Sequence, residues 1–138
     1  MTTPRLVLVV DDDAELQKRW KTEIGTSLRI LSAFTPEEAL QIFDMSRIDR
    51  NGRINGSNIG AIVVDDCIPD GEFSTLPVIE HMRRHFGGPI IAASNHYEFQ
   101  TLLVQAGCNR SSKKNFVPEA IFASLGLLLT RDPNDIAP

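Results

Sequence analysis

The chain has 138 residues, 42% of them hydrophobic, which suits one core and one domain of ordinary size. Fourteen basic residues against 18 acidic ones give a net charge of −4 and a pI near 5.3, so there is no basic footprint for nucleic acid or an anionic membrane. The start, MTTPRLVLVVDDD, is unlike a signal peptide, and no apolar stretch is long enough to span a bilayer. Cys67 and Cys108 lack metal-ligand spacing, which predicts reduced thiols in a cytoplasmic protein.

In chain order, Arg5 to Val10 is an apolar, β-branched run without polar alternation, the pattern of a strand covered on both faces. Asp13 to Ile24 spaces Leu16, Trp20 and Ile24 four apart along a helix that Gly25 can stop. Leu28 to Phe34 reads as a second strand. Thr35-Pro36-Glu37-Glu38 then offers a capping side chain, a first-turn proline and two acids, predicting a helix to about Met45. Arg47 to Gly60 is polar and rich in Gly and Asn, hence a loop insertion. It is a poor calcium loop, because Arg53 falls on a ligand position and no glutamate closes the frame.

Ala61 to Val64 predicts a third buried strand ending at Asp65-Asp66. After the turn-rich Pro69-Asp70-Gly71, Pro77 to Phe86 reads as a helix and Pro89 to Ala93 as a fourth strand. Tyr97 to Ala106, closed by Gly107, reads as a fourth helix, Asn109 to Ser112 as a short fifth strand, and Pro118 opens a last helix. Residues 131–138 form a polar tail behind a domain spanning 1–130. This alternation predicts an α/β fold of three layers: a doubly wound, five-stranded parallel sheet with helices on both faces.

Such sheets bind ligands at the carboxyl ends of their strands, where strand order reverses. There the sequence places Asp11-Asp12-Asp13, Asp65-Asp66, Ser94-Asn95 and Lys113-Lys114. One acid behind a strand is an ordinary helix cap, but five facing one another would repel strongly unless a cation lay between them. Mg²⁺ suits such a set, since it takes one or two carboxylates and a phosphate oxygen. Ser94 can donate to another phosphate oxygen, and a lysine ammonium can neutralise a third.

The segments LVLVVDDD, AIVVDDCIP, PIIAASN and AGCNRSSKKNF resemble the response-regulator receiver family of two-component signalling, CheY-like in fold, over nearly the whole chain. The resemblance implies a flavodoxin-like sheet of order 2-1-3-4-5. It also implies Mg²⁺ on Asp11, Asp12, Asp65 and the backbone carbonyl of Cys67. Asp65, four residues before Pro69, matches the phosphoacceptor, and Ser94 matches the switch hydroxyl. Lys114, seven after Gly107, matches the family lysine, with Lys113 as the alternative. A histidine kinase or phosphotransfer protein would be the donor, and a downstream protein would dock on the fourth and fifth helices, with a homodimer as a further option. The role is that of a phosphoacceptor rather than an enzyme, with at most self-phosphorylation and self-dephosphorylation.

Three positions depart from the family pattern. Ser111 stands where an aromatic residue usually partners the switch hydroxyl, Asn115 where a proline follows the lysine, and Asn95 where a small residue follows the hydroxyl. Asn95, His96, Ser111 and Asp66 are expected to modulate the site, Asn95 by narrowing the path of an attacking water. Two rivals remain. One is a phosphorylation-independent interaction module, which Ser111 and Asn115 favour. The other is a haloacid-dehalogenase-like phosphohydrolase, which lacks its second aspartate because Cys67 stands two residues after Asp65.

Overall fold

A computed structural model describes residues 5–48, 51–54, 58–65 and 75–127. Its strands are β1 (Arg5–Val10), β2 (Leu28–Ala33), β3 (Ile59–Asp65), β4 (Ile90–Ala93) and β5 (Arg110–Ser112). The helices are α1 (Ala14–Ile24), α2 (Pro36–Ser46), α3 (Leu76–His85), α4 (Tyr97–Ala106) and α5 (Val117–Ser124). All strand pairings are parallel, in the order β2-β1-β3-β4-β5. The sheet is therefore the flavodoxin-like one expected from the sequence, and order reverses between β1 and β3.

The uninterrupted apolar strands are explained by two separate cores. Leu8, Val10, Ile62, Val64, Ile90 and Ala92 face Ala39, Phe43, Val78, Ile79, Met82 and Leu103, which come from α2, α3 and α4. Val7, Val9, Ala61, Val63, Ile91 and Ala93 face Trp20, Ile24, Val117, Ile121 and Phe122, from α1 and α5. Successive strand side chains point to opposite faces, so both faces must be apolar when helices cover both.

Caps set the helix starts. Asp13 Oδ1 accepts the Leu16 amide at 3.0 Å, and Thr35 Oγ1 accepts the Glu38 amide at 3.1 Å. Each such cap is worth about 1 kcal/mol. Gly107 ends α4 at φ 143°, where a Cβ would meet that of Arg83 at 3.0 Å, so glycine is required there on both counts.

Several expectations need adjustment. The polar insertion assigned to 47–60 is shorter, because Arg47 caps the C-terminus of α2 and β3 already begins at Ile59. Ile59 is buried in the sheet, and its polar flank masked that signal. Within the insertion, Ile48 and Ile54 form an isolated antiparallel bridge. It lies at the amino end of β3, opposite the strand ends that carry the acids. The buried stripe of α1 is Gln17, Trp20 and Ile24, with Leu16 only partly buried. A 3₁₀ turn, Lys114–Phe116, precedes α5. The turn at Pro69-Asp70-Gly71 and the tail at 131–138 lie outside the described residues.

Candidate functional site: a carboxylate cluster with a buried-acid lysine

The carboxyl ends of β1 and β3 bring three acids together. Asp11 is fully buried just beyond β1, Asp65 is 2% exposed at the last position of β3, and Asp12 is exposed beside them. One carboxylate oxygen of each lies within 4.8 Å of the others. Two strands of a closely packed sheet fix Asp11 and Asp65, so the acids cannot separate to relieve their repulsion.

Lys114 answers part of that charge. Its Nζ is 3.0 Å from Asp65 Oδ1 and 3.5 Å from Asp11 Oδ2. Lys114, rather than Lys113, thus carries the ammonium that reaches the buried acids. Asp11 remains incompletely compensated. Its Oδ1 accepts the Asp13 amide at 2.8 Å, whereas its buried Oδ2 accepts no hydrogen bond and has only the ion pair. Burial raises the Asp11 pKa above the ordinary carboxylate value and Asp12 adds to that, against the lowering effects of the Asp13 amide and Lys114. A buried carboxylate oxygen held by one long ion pair and no hydrogen bond, within a group of three acids, fits a hard divalent cation, for which oxygen ligands are preferred.

A cleft of about 340 Å³ opens beside the acids, lined by Asp12, Asp13, Asp65, Asn95, His96, Phe99 and Lys114. Ser94 is fully buried at the end of β4. Its Oγ accepts the His96 amide at 2.9 Å and lies 3.2 Å from the His96 carbonyl, so in this state the hydroxyl serves the first turn of α4. Asn95 Oδ1 accepts the Lys114 amide at 3.0 Å. The exposed His96 stands at the residue before α4 without a side-chain cap bond, and its ring meets Phe99 edge-on, with ring centroids 5.2 Å apart. Ser111 is exposed on β5, in a shallow groove with Tyr97, Gln100, Thr101, Val104 and Gln105. Asp66 and Cys67 lie outside the described residues.

Three contributors escaped sequence reasoning. Gln17 Nε2 reaches the carbonyls of Asp11 at 2.9 Å, Ala33 at 3.0 Å and Val9 at 3.3 Å, tying the ends of β1 and β2 together behind the acids. The Trp20 indole N–H donates to the Lys114 carbonyl at 3.0 Å. Phe99 walls the cleft. Spacing did hold a signal for Gln17, since residues 17, 20 and 24 share one helical face. A larger cleft, about 480 Å³, is lined by Arg47, Ile54 and the C-terminal end of α3. There Arg83 donates to the backbone carbonyls of Phe86, Gly88 and Gly107, a structural use of its guanidinium.

No family profile and no curated protein matches the sequence. Solved structures do match in fold. The receiver domain of the histidine kinase CKI1 from Arabidopsis thaliana, complexed with Mg²⁺ and BeF₃⁻, is 22% identical, with 88% of this chain and 90% of that one covered and a TM-score of 0.67. A response regulator protein from Burkholderia pseudomallei, with a phosphorylated aspartic acid, calcium ion and citrate, is 17% identical, covering 88% of this chain and 66% of that one at TM-score 0.69. An adenylate cyclase from Rhodopirellula baltica is 21% identical, covering 90% and 89% at TM-score 0.68. The chain therefore has the fold of response-regulator receiver domains. Among the described residues no helix is long and apolar enough to cross a membrane.

Proposed function

We propose that this chain is a receiver domain that accepts a phosphoryl group on Asp65 from a phosphohistidine of a histidine kinase or phosphotransfer protein, in a cytoplasmic phosphorelay. The observation that carries this reading is the Lys114 ammonium, shared between the buried carboxylates of Asp65 and Asp11 at the sheet's switch point. A structural ion pair needs one acid, whereas here a third carboxylate stands within reach and one oxygen of Asp11 lacks a hydrogen bond.

In the transfer, an Asp65 carboxylate oxygen attacks phosphorus as the P–N bond of the donor breaks, and the donor imidazole leaves with the bonding pair. Such a reaction relies on positioning and charge neutralisation more than on covalent help. Asp11 and Asp12, with Asp65 and the Cys67 carbonyl, are the residues that would hold Mg²⁺. The ion would supply charge neutralisation on the transferring oxygens. Lys114 neutralises one further oxygen, and Ser94 exchanges its contact with His96 for a phosphoryl oxygen. A downstream protein would read the outcome on the exposed side chains of α4 and the turn before α5, where Tyr97 is 80% exposed and Phe116 58%. The same face could serve a homodimer.

Incubation with a small phosphodonor and Mg²⁺, followed by intact-mass measurement, tests the reading. One acid-labile phosphate is expected in the wild type and in Asp66→Asn, and none in Asp65→Asn. Labelling of the Asp65 variant to wild-type levels would overturn the assignment. The rival interaction module, favoured by the ringless, exposed Ser111, predicts no labelling in any of the three.

A further inference from the structure

The Lys114 peptide is held on both edges by side chains from elsewhere in the fold. Its N–H donates to Asn95 Oδ1 at 3.0 Å, and its carbonyl accepts the Trp20 indole N–H at 3.0 Å. The next residue, Asn115, is tied to α1 as well, through Arg19 at 3.3 Å. Two of these anchors come from α1, which packs against α5. The Asn95 anchor differs, because it belongs to the loop whose preceding residue is Ser94. That loop is also joined to β5 by the Ser94 amide, which donates to the Ser112 carbonyl at 3.0 Å. A displacement of the Ser94-Asn95 loop toward Asp65 thus pulls directly on the peptide that precedes the 3₁₀ turn and α5.

We propose that Asn95 is a positioning residue that couples the Ser94 loop to Lys114, holding the ammonium on the acids at rest and passing the loop's movement into the 3₁₀ turn and α5. This rests on the receiver reading, but it concerns the route and not the acceptor. The coupling element is an exposed hydrogen bond joining two loops, one that follows Ser94 and one that carries Lys114. Ser111, on β5 one residue before Ser112, presents only a short exposed hydroxyl and has no bulk with which to carry the movement. Asn95 is therefore fixed by the Lys114 amide, rather than placed simply as a wall against water.

The test compares wild type, Asn95→Ala and Asn95→Asp by amide NMR before and after saturating Mg²⁺ and beryllofluoride. The Asp variant keeps an acceptor for the Lys114 amide, and saturating Mg²⁺ offsets its added charge. In the wild type the amides of Ser94, Lys114, Phe116 and Ile121 should all shift. In Asn95→Ala the Ser94 shift should persist, while those of Lys114, Phe116 and Ile121 fall to less than about half, and Asn95→Asp should restore them. Phosphoryl incorporation should slow roughly three- to tenfold in Asn95→Ala, the effect of one lost hydrogen bond, and recover in Asn95→Asp. Wild-type-sized shifts beyond Lys114 in Asn95→Ala would overturn the coupling while leaving the receiver reading intact. Absence of any shift in the wild type would overturn both.

Discussion

The Lys114 ammonium lies 3.0 Å from Asp65 Oδ1, and the acid it meets is 2% exposed. Removing that cation takes one ion pair from each of the buried carboxylates of Asp65 and Asp11, which is far costlier than losing a surface pair. Lys114→Met, which keeps the apolar stem, should lose about 3 kcal/mol in urea denaturation without Mg²⁺. Much of the loss should return on adding Mg²⁺, since a divalent cation answers the same charge. Equal midpoints for variant and wild type without the metal would show that the pair contributes nothing.

Asp11 makes a pH-dependent counterpart. Its pKa in the fold is raised above the ordinary 3.8, chiefly by burial, so the native state binds its proton more tightly than the unfolded chain does. Its contribution to stability is complete below the unfolded pKa and is lost as pH rises through the folded one. Asp11→Asn retains an oxygen for the Asp13 amide and removes the charge. The metal-free variant should melt about 2–5 °C above wild type at neutral pH, with the gap closing as pH falls toward 4. Mg²⁺ should raise the melting temperature of the wild type and leave the variant nearly unchanged. A gap independent of pH would rule out the charge as its cause.

Gln17 should show how backbone support reaches the acids. Its amide nitrogen serves three carbonyls, while its buried Oε1 accepts no hydrogen bond. Gln17→Met removes the donor but also the unsatisfied oxygen, so a loss of about 1–2 kcal/mol is expected. Gln17→Glu keeps the oxygen, lacks the donor when ionised and adds a buried charge, so it should be the less stable of the two at neutral pH. Because the Asp11 carbonyl is among the three, both should weaken Mg²⁺ binding severalfold in calorimetry. Wild-type stability in Gln17→Met would show that the donor is unimportant.

How far the sequence exposes this site follows from the kind of signal each residue carries. Unbroken apolar runs such as Arg5–Val10 reveal strands buried on both faces, so a parallel sheet with acids at its strand ends could be read from pattern, while the strand order and the choice of Asp65 over Asp66 rest on the resemblance to the receiver family. Ile59 and Gly60 were hidden because their flank is polar and the strand enters the sheet only gradually, with Gly60 half-buried. Trp20 was legible as a core residue, but its indole N–H meeting Lys114 is a contact 94 positions away along the chain, which no local periodicity encodes. Asn95 shows the same limit. Its place after Ser94 suggested bulk near the acceptor, whereas its hydrogen-bond partner depends on how β4 and β5 bring two loops together.

The lifetime of the phosphoryl group should depend on the aromatic wall of the cleft. His96 and Phe99 meet edge-on, with centroids 5.2 Å apart, and both line the cleft that contains Asp65. Hydrolysis requires a water in line with phosphorus on the side away from the carboxylate oxygen, so whatever narrows that approach prolongs the phosphoaspartate. His96 is exposed, and an imidazole beside the acceptor has a second action open to it: a ring nitrogen can orient the attacking water. Access and orientation act in opposite directions, and separate substitutions distinguish them. Phe99→Ala widens the cleft and removes the ring that His96 leans on, so phosphate loss should accelerate by about three- to tenfold at every pH. His96→Ala should accelerate it if the ring acts as a wall, but should slow it if the ring orients water. The structure favours the wall, because His96 packs against Phe99 and its side chain caps no helix amide. The expected outcome is therefore faster loss in both variants, measured by the decay of acid-labile phosphate after donor removal. Unchanged decay in both variants would refute the role of the aromatic wall.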